Sequence, residues 1–157
     1  MSPGEIFTLR DYLGPELKGR TISDGRRVVS LTDILEQTGL VGRFDELSNR
    51  SVLLAVSDQL ISALAMMEID GVARRMLLCP PDLNSDHVQA LIDDAEIDAI
   101  VTDQPPRWAD FGVYQVMAAR APERRGAKIK TERATEWLML TSGTSGVPKI
   151  VGSVRCV

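Results

Sequence analysis

Histidine occurs once in this chain, cysteine twice, and aromatic residues make up only 4% of it. A single imidazole excludes multi-histidine metal centres. Cys79 and Cys156 are too far apart in sequence to read as a metal-ligand spacing, and two cysteines build no disulfide framework. Such usage fits a reducing, cytoplasmic setting. No apolar run approaches the length of a membrane span. Met1 to Tyr12 lacks the basic and then apolar order of a secretory signal. Basic residues are missing between Arg75 and Arg107, where Asp82, Asp86, Asp93, Asp94, Glu96, Asp98 and Asp103 stand instead. The net charge of −4 argues against nonspecific nucleic-acid binding as the main role.

What is present suits a soluble α/β domain. The 157 residues, 44% of them hydrophobic and 25% charged, suffice for one core. Phe7 to Leu17 is weakly patterned, with room for a short helix. Arg20–Ser23 and Arg26–Val29, joined at Asp24-Gly25, read as a small hairpin. Ser30 is placed to cap a helix that Gly39 ends, with Leu31, Ile34 and Leu35 on its buried face. Ser51–Val56 reads as a strand. Ser57 or Asp58 then caps a helix through Ile69, stopped by Gly71, with a broad apolar face in which Met66 and Met67 fill gaps.

Arg75–Cys79 is a second strand, ended by Pro80-Pro81. Asn84 or Ser85 caps a helix with Val88, Leu91, Ile92 and Ala95 on one face, and Asp93-Asp94 on its solvated side. Ala99–Thr102 is a third strand. Strand, helix, strand, helix, strand predicts a parallel βαβαβ sheet with right-handed crossovers. After the irregular stretch from Pro105-Pro106, Val113–Met117 reads as a strand. A linker from Ala118 to Thr135 leads to the apolar strand Glu136–Leu140. The linker holds Arg120, Arg124, Arg125, Lys128, Lys130 and Arg133, read as a solvated basic loop. His87 reads as a surface or capping residue, and Trp108 and Trp137 as packing residues, Trp137 lying beside the loop strand.

The chemistry is concentrated in Thr141-Ser142-Gly143-Thr144-Ser145-Gly146-Val147-Pro148-Lys149. Four hydroxyls, two glycines and a lysine offer short donors, close backbone approach and a point charge, a set suited to a polyphosphate. It is not a Walker loop, because Pro148 replaces the second glycine and Ile150, not Ser or Thr, follows Lys149. It is not a nucleophile elbow, because Val147 stands where glycine is required. Ile150-Val151 favours a strand after the loop.

Leu138 through Lys149 closely resembles the phosphate-binding signature of the adenylate-forming superfamily, which includes acyl- and aryl-CoA synthetases. The Gly71–Pro80 passage also looks like that family's corresponding region. The resemblance implies the start of an N-terminal AMP-binding domain, incomplete over residues 1–157. It implies ATP-dependent activation of a small-molecule carboxylate to an acyl-adenylate, with transfer to coenzyme A, and Mg2+ as the accompanying ion. Thr141, Ser142, Gly143, Thr144, Ser145, Gly146 and Lys149 would hold the phosphates, with no catalytic residue and no metal ligand assigned. The departure from the family after Val151 points to a truncated reading frame, a shifted frame or a cut piece, inactive by itself and marginally stable or self-associating, with Cys156 a reactive thiol if exposed. The alternatives are a noncatalytic phosphate-binding module or a degenerate product.

Overall fold

The computed structural model describes residues 6–41, 43–126, 128–141 and 146–152. Its centre is a six-stranded sheet. The strands are β4 (Ser51–Ala55), β5 (Arg75–Leu78), β6 (Ala99–Thr102), β7 (Tyr114–Met117), β9 (Glu136–Thr141) and β10 (Lys149–Gly152), in spatial order β10-β9-β5-β4-β6-β7. All neighbours pair in parallel except β10, which returns antiparallel to β9. Two short antiparallel ribbons accompany it: the hairpin of β1 (Thr21–Ser23) with β2 (Val28–Ser30), and the long-range pair of β3 (Gln37–Thr38) with β8 (Glu123–Arg124).

The expected βαβαβ core is therefore present, and its pattern follows from strand alternation. Val52, Leu54, Met76, Ala99 and Val101 face one side and pack with Leu60, Ile61, Leu64 and Ile69 of helix α1 (Gln59–Ile69). Leu53, Leu77, Ile100 and Leu138 face the other, against Val88, Leu91 and Ile92 of α2 (Val88–Asp94) and against Trp108 of α3 (Pro105–Trp108). Met66 and Met67 pack half-buried against the first layer, and Asp93 and Asp94 are exposed, as expected.

Asp58 is the residue that caps α1, accepting the Ile61 N–H at 3.0 Å while its carboxylate also holds Arg27 at 2.6 Å. Gly71, at φ 87°, turns the chain out of α1 where a Cβ would stand 2.7 Å from Thr8 Cγ2. Losing a cap and a side-chain partner together, Asp58→Ala is expected to cost about 1–2 kcal/mol in urea unfolding. An unchanged midpoint would remove Asp58 from both roles.

Three expectations are corrected. Residues 30–39 form no helix: a single 3₁₀ turn, Ile34–Glu36, passes into β3. Gly39 explains this, since a Cβ there would lie 2.8 Å from the Ile61 carbonyl oxygen and 2.9 Å from the Ala65 nitrogen. The chain crosses α1 too closely for a helix to stand between. The 7–17 segment likewise holds two 3₁₀ turns, Leu9–Tyr12 and Pro15–Leu17, in place of one helix.

The basic linker is not simply solvated. Arg124 and Arg125 lie on or beside β8, and the Arg125 side chain is 9% exposed. Its Nη1 stands 4.0 Å from Oε1 of Glu68, a carboxylate buried on α1, and its backbone N–H donates to the Glu36 carbonyl at 2.7 Å. Arg133 hydrogen-bonds Asn49. Arg120, Lys128 and Lys130 do remain exposed.

Candidate functional site

β9 and β10 form the arms of a hairpin, with Thr141 opposite Lys149 and Leu140 opposite Ile150. The two strands expected on either side of the loop are observed. Leu138 anchors β9 in the core, while Leu140 and Ile150 pack half-buried against the second layer. Because β9 is parallel to β5, its carboxyl end lies at the same sheet edge as the carboxyl ends of β4, β5 and β6. Ligands of open α/β sheets bind at that edge.

Of the residues assigned to phosphate binding, Thr141, Gly146 and Lys149 are placed, and Ser142, Gly143, Thr144 and Ser145 lie outside the described residues, as does Cys156. Thr141 is exposed, and its hydroxyl is 3.4 Å from the Lys149 carbonyl oxygen. Gly146 adopts φ 77° with open space where a Cβ would be, so the glycine is required by backbone conformation and not by crowding. Lys149 is exposed and has no acidic partner among the described residues. A charge held at a paired β-position and left unneutralised is available to an anion.

Beside the hairpin is an open groove of about 370 Å3. Thr141, Gly146 and Pro148 form one wall, and Asp82, Asn84 and His87 belong to the other. The sequence reading gave these last three no part in the site. His87 is at the N-terminal boundary of α2, where its side chain makes no capping bond, and it is half-buried. Only the fold brings the 80–87 segment against a hairpin more than fifty residues further on. Asn84 spends its side-chain oxygen on the Asp86 N–H at 3.0 Å. Trp137 does not reach the groove wall: its Nε1 donates to Asp70 at 3.1 Å and its ring packs on the α1 layer.

Among the described residues no three His, Cys, Asp or Glu side chains converge as a metal site. Asp82 is the one carboxylate among the groove's lining residues, so the residues described do not make up a Mg2+ site. No helix of the described residues is long and apolar enough to cross a membrane.

Neither protein-family models nor curated protein sequences give a match to this chain. Solved structures do. The Klebsiella oxytoca NpsA N-terminal subdomain, in complex with 3-hydroxybenzoyl-AMSN, superposes with a TM-score of 0.65 at 15% identity, over 97% of this chain and 42% of its own. The o-succinylbenzoate CoA synthetase MenE of Bacillus subtilis, in complex with the acyl-adenylate intermediate OSB-AMP, gives 0.58 at 16% identity, over 81% and 36%. VinN in complex with L-aspartate gives 0.65 at 13% identity, over 93% and 47%. The chain thus has the α/β fold found in the N-terminal subdomains of adenylate-forming enzymes, and spans less than half the length of these structures.

Proposed function

We propose that this chain is the phosphate-binding portion of an adenylate-forming ligase, an incomplete N-terminal AMP-binding domain that grips the β- and γ-phosphates of ATP through Thr141–Lys149. The observation that carries the reading is the paired hairpin at the carboxyl edge of a parallel sheet, presenting a Lys149 with no acidic partner among the described residues and a positive-φ Gly146 beside a groove of about 370 Å3. That volume is in the range of small-molecule sites. The fold shared with NpsA and MenE, each solved with an adenylate-type ligand, supports it.

In the reaction so inferred, a carboxylate oxygen attacks the α-phosphorus of ATP and the bond to pyrophosphate breaks. Charge accumulates on the departing pyrophosphate, and fixed donors aimed there lower the barrier. Lys149 supplies one such charge, Thr141 one hydroxyl, and the loop glycines let the backbone approach. Ser142, Thr144 and Ser145 contribute further hydroxyls in this reading. The groups that would orient the carboxylate are not among the residues assigned, so this chain alone is expected to bind without turning over. Coenzyme A as acceptor, Mg2+ as companion ion, a cytoplasmic setting and self-association through the exposed β10 edge belong to the same proposal.

Calorimetric titration with pyrophosphate and with ATP tests it. Saturable binding of both, without carboxylate-dependent exchange of pyrophosphate into ATP, is the expected outcome. Exchange by the isolated chain would restore a catalytic role, and no binding of either ligand would remove the phosphate site.

A further inference from the structure

The groove wall opposite the β9–β10 hairpin is one short turn, and that turn is firmly held. Leu83 and Val88, before and after His87 in the chain, are both buried in the second core layer. From α3, Arg107 donates through Nη1 to the Pro81 carbonyl at 3.2 Å and through Nη2 to the Leu83 carbonyl at 2.6 Å. Asn84 accepts the Asp86 N–H, which commits its Oδ1 and leaves its Nδ2 as a donor. The His87 backbone N–H is satisfied as well, by the Asn84 carbonyl at 3.1 Å. Side chains on such a support lose little freedom when a ligand arrives.

His87 lines the groove half-buried, its side chain caps nothing, and its ring nitrogens have no hydrogen-bond partner among the described residues. Its charge matters because of what lines the groove with it. Among the described lining residues, Asp82 alone is anionic and His87 alone can become cationic. With a neutral ring the lining is net negative and opposes a phosphate; with an imidazolium that charge is offset and both ring nitrogens donate. The hairpin wall contributes the Thr141 hydroxyl and the Gly146 backbone, but no charge. The other charged groups around the turn do not replace the ring. Asp86 is exposed on the turn itself, Arg107 is committed to two carbonyls, and Lys149 stands one residue beyond Pro148 and is not in the lining. Histidine is the side chain whose charge ordinarily changes between about pH 5 and 8.

We propose that His87 is a phosphate-binding residue of this groove whose grip depends on protonation: the imidazolium holds a terminal phosphate across from Thr141 and releases it as the ring becomes neutral. The role rests on the phosphate reading of the hairpin, and adds to it a residue from a distant turn and a pH response. Its sign follows from linkage. An anion that prefers the charged ring favours protonation when it binds, and a tenfold preference equals about one unit of imidazole pKa. One charge-assisted contact in an open, salt-screened groove suits a preference of about tenfold, the lower end for a hydrogen bond to a charged group.

His87 is the only histidine of the chain, so its imidazole resonances assign themselves. The test is the 1H–13C titration of that ring between about pH 5 and 8.5 in the untagged, reduced, 13C-labelled full chain, free and saturated with sodium pyrophosphate at constant ionic strength. The midpoint is expected to rise by about one pH unit when pyrophosphate is bound. Calorimetry reads the same coupling from the ligand's side. His87→Gln, which keeps a donor and cannot become charged, should bind pyrophosphate about tenfold more weakly than wild type at about pH 6 and about equally at about pH 8. Comparing the two proteins at each pH cancels the protonation of pyrophosphate itself. Saturable binding by wild type with the His87 midpoint unmoved, or with His87→Gln equal to wild type at about pH 6, would overturn the role of His87 and leave the hairpin reading standing. No saturable binding by wild type at either pH would overturn both.

Discussion

Lys149→Ala is expected to weaken pyrophosphate binding by roughly ten- to a hundredfold, the value of about 1.5–3 kcal/mol for one hydrogen bond to a charged group. The expectation follows from where Lys149 is. Its backbone is paired to Thr141 at the mouth of the hairpin, so the ammonium need not drag a mobile segment into order. It has no acidic partner among the described residues to release first. Its exposure works the other way, because salt screens an open site. The wild-type affinity should therefore fall as sodium chloride is raised, and the gap between wild type and variant should narrow with it. Lys130→Ala, an exposed lysine of the same charge in the basic linker, serves as the comparison and is expected to bind like wild type. Equal affinities for wild type and Lys149→Ala, measured at low salt, would take the lysine out of the site and leave the loop a turn.

How far the sequence led depends on how local each cause was. β4, α1, β5, α2 and β6 were legible because each carries its own signals: an apolar run, the Asp58 cap, the stop at Gly71, the Val88-Leu91-Ile92 face. The hairpin that presents Thr141 and Lys149 was legible for the same reason, since both its arms and its loop are contiguous. Residues 30–39 misled because Leu31, Ile34 and Leu35 do keep helical spacing. What decides their conformation is Gly39 lying against the backbone of α1 and the pairing of Gln37 with Arg124, neither visible at short range. The groove was half legible in the same sense. One wall is the motif itself, but the wall with Asp82, Asn84 and His87 comes from a distant turn that carries no motif of its own. Arg125 was read as one of a solvated cluster, because composition shows a charge and not its partner. Glu68 gave no warning, standing in a helix whose other inward residues are apolar.

That pair gives the largest stability effect expected in this chain. Arg125→Ala should cost about 3 kcal/mol near neutral pH, the lower end for removing one partner of a buried ion pair. Glu68 is 1% exposed, accepts the Gly39 N–H at 2.7 Å through Oε2, and has Arg125 Nη1 at 4.0 Å from an Oε1 that makes no hydrogen bond among the described residues. Burial raises its pKa, against the opposing pull of hydrogen bonds from Thr38 and Gly39 and of the Arg125 charge. A carboxyl raised in the folded state contributes its full stability below the unfolded value of about 4.5 and loses it as pH climbs through the folded pKa. Removing Arg125 deletes a term that held that pKa down, so the loss should extend to higher pH. Above about pH 4.5, unfolding free energy should therefore go on falling over a wider pH range for Arg125→Ala than for wild type, at up to about 1.4 kcal/mol per pH unit. Glu68→Gln, which keeps an acceptor for Gly39 and cannot ionise, should be within about 1 kcal/mol of wild type and lose this slope. On that background Arg125→Ala should cost less, by a coupling of about 1–2 kcal/mol. Part of the remainder is what Arg125 contributes through the Leu35 carbonyl, to which its Nη2 donates. Chemical denaturation of the four proteins at three pH values decides the matter. An Arg125→Ala penalty that is the same with glutamate or glutamine at position 68, and flat with pH, would mean that β8 is fastened over α1 by packing and backbone pairing alone, and that the buried charge takes no part in holding the linker ahead of the β9–β10 hairpin.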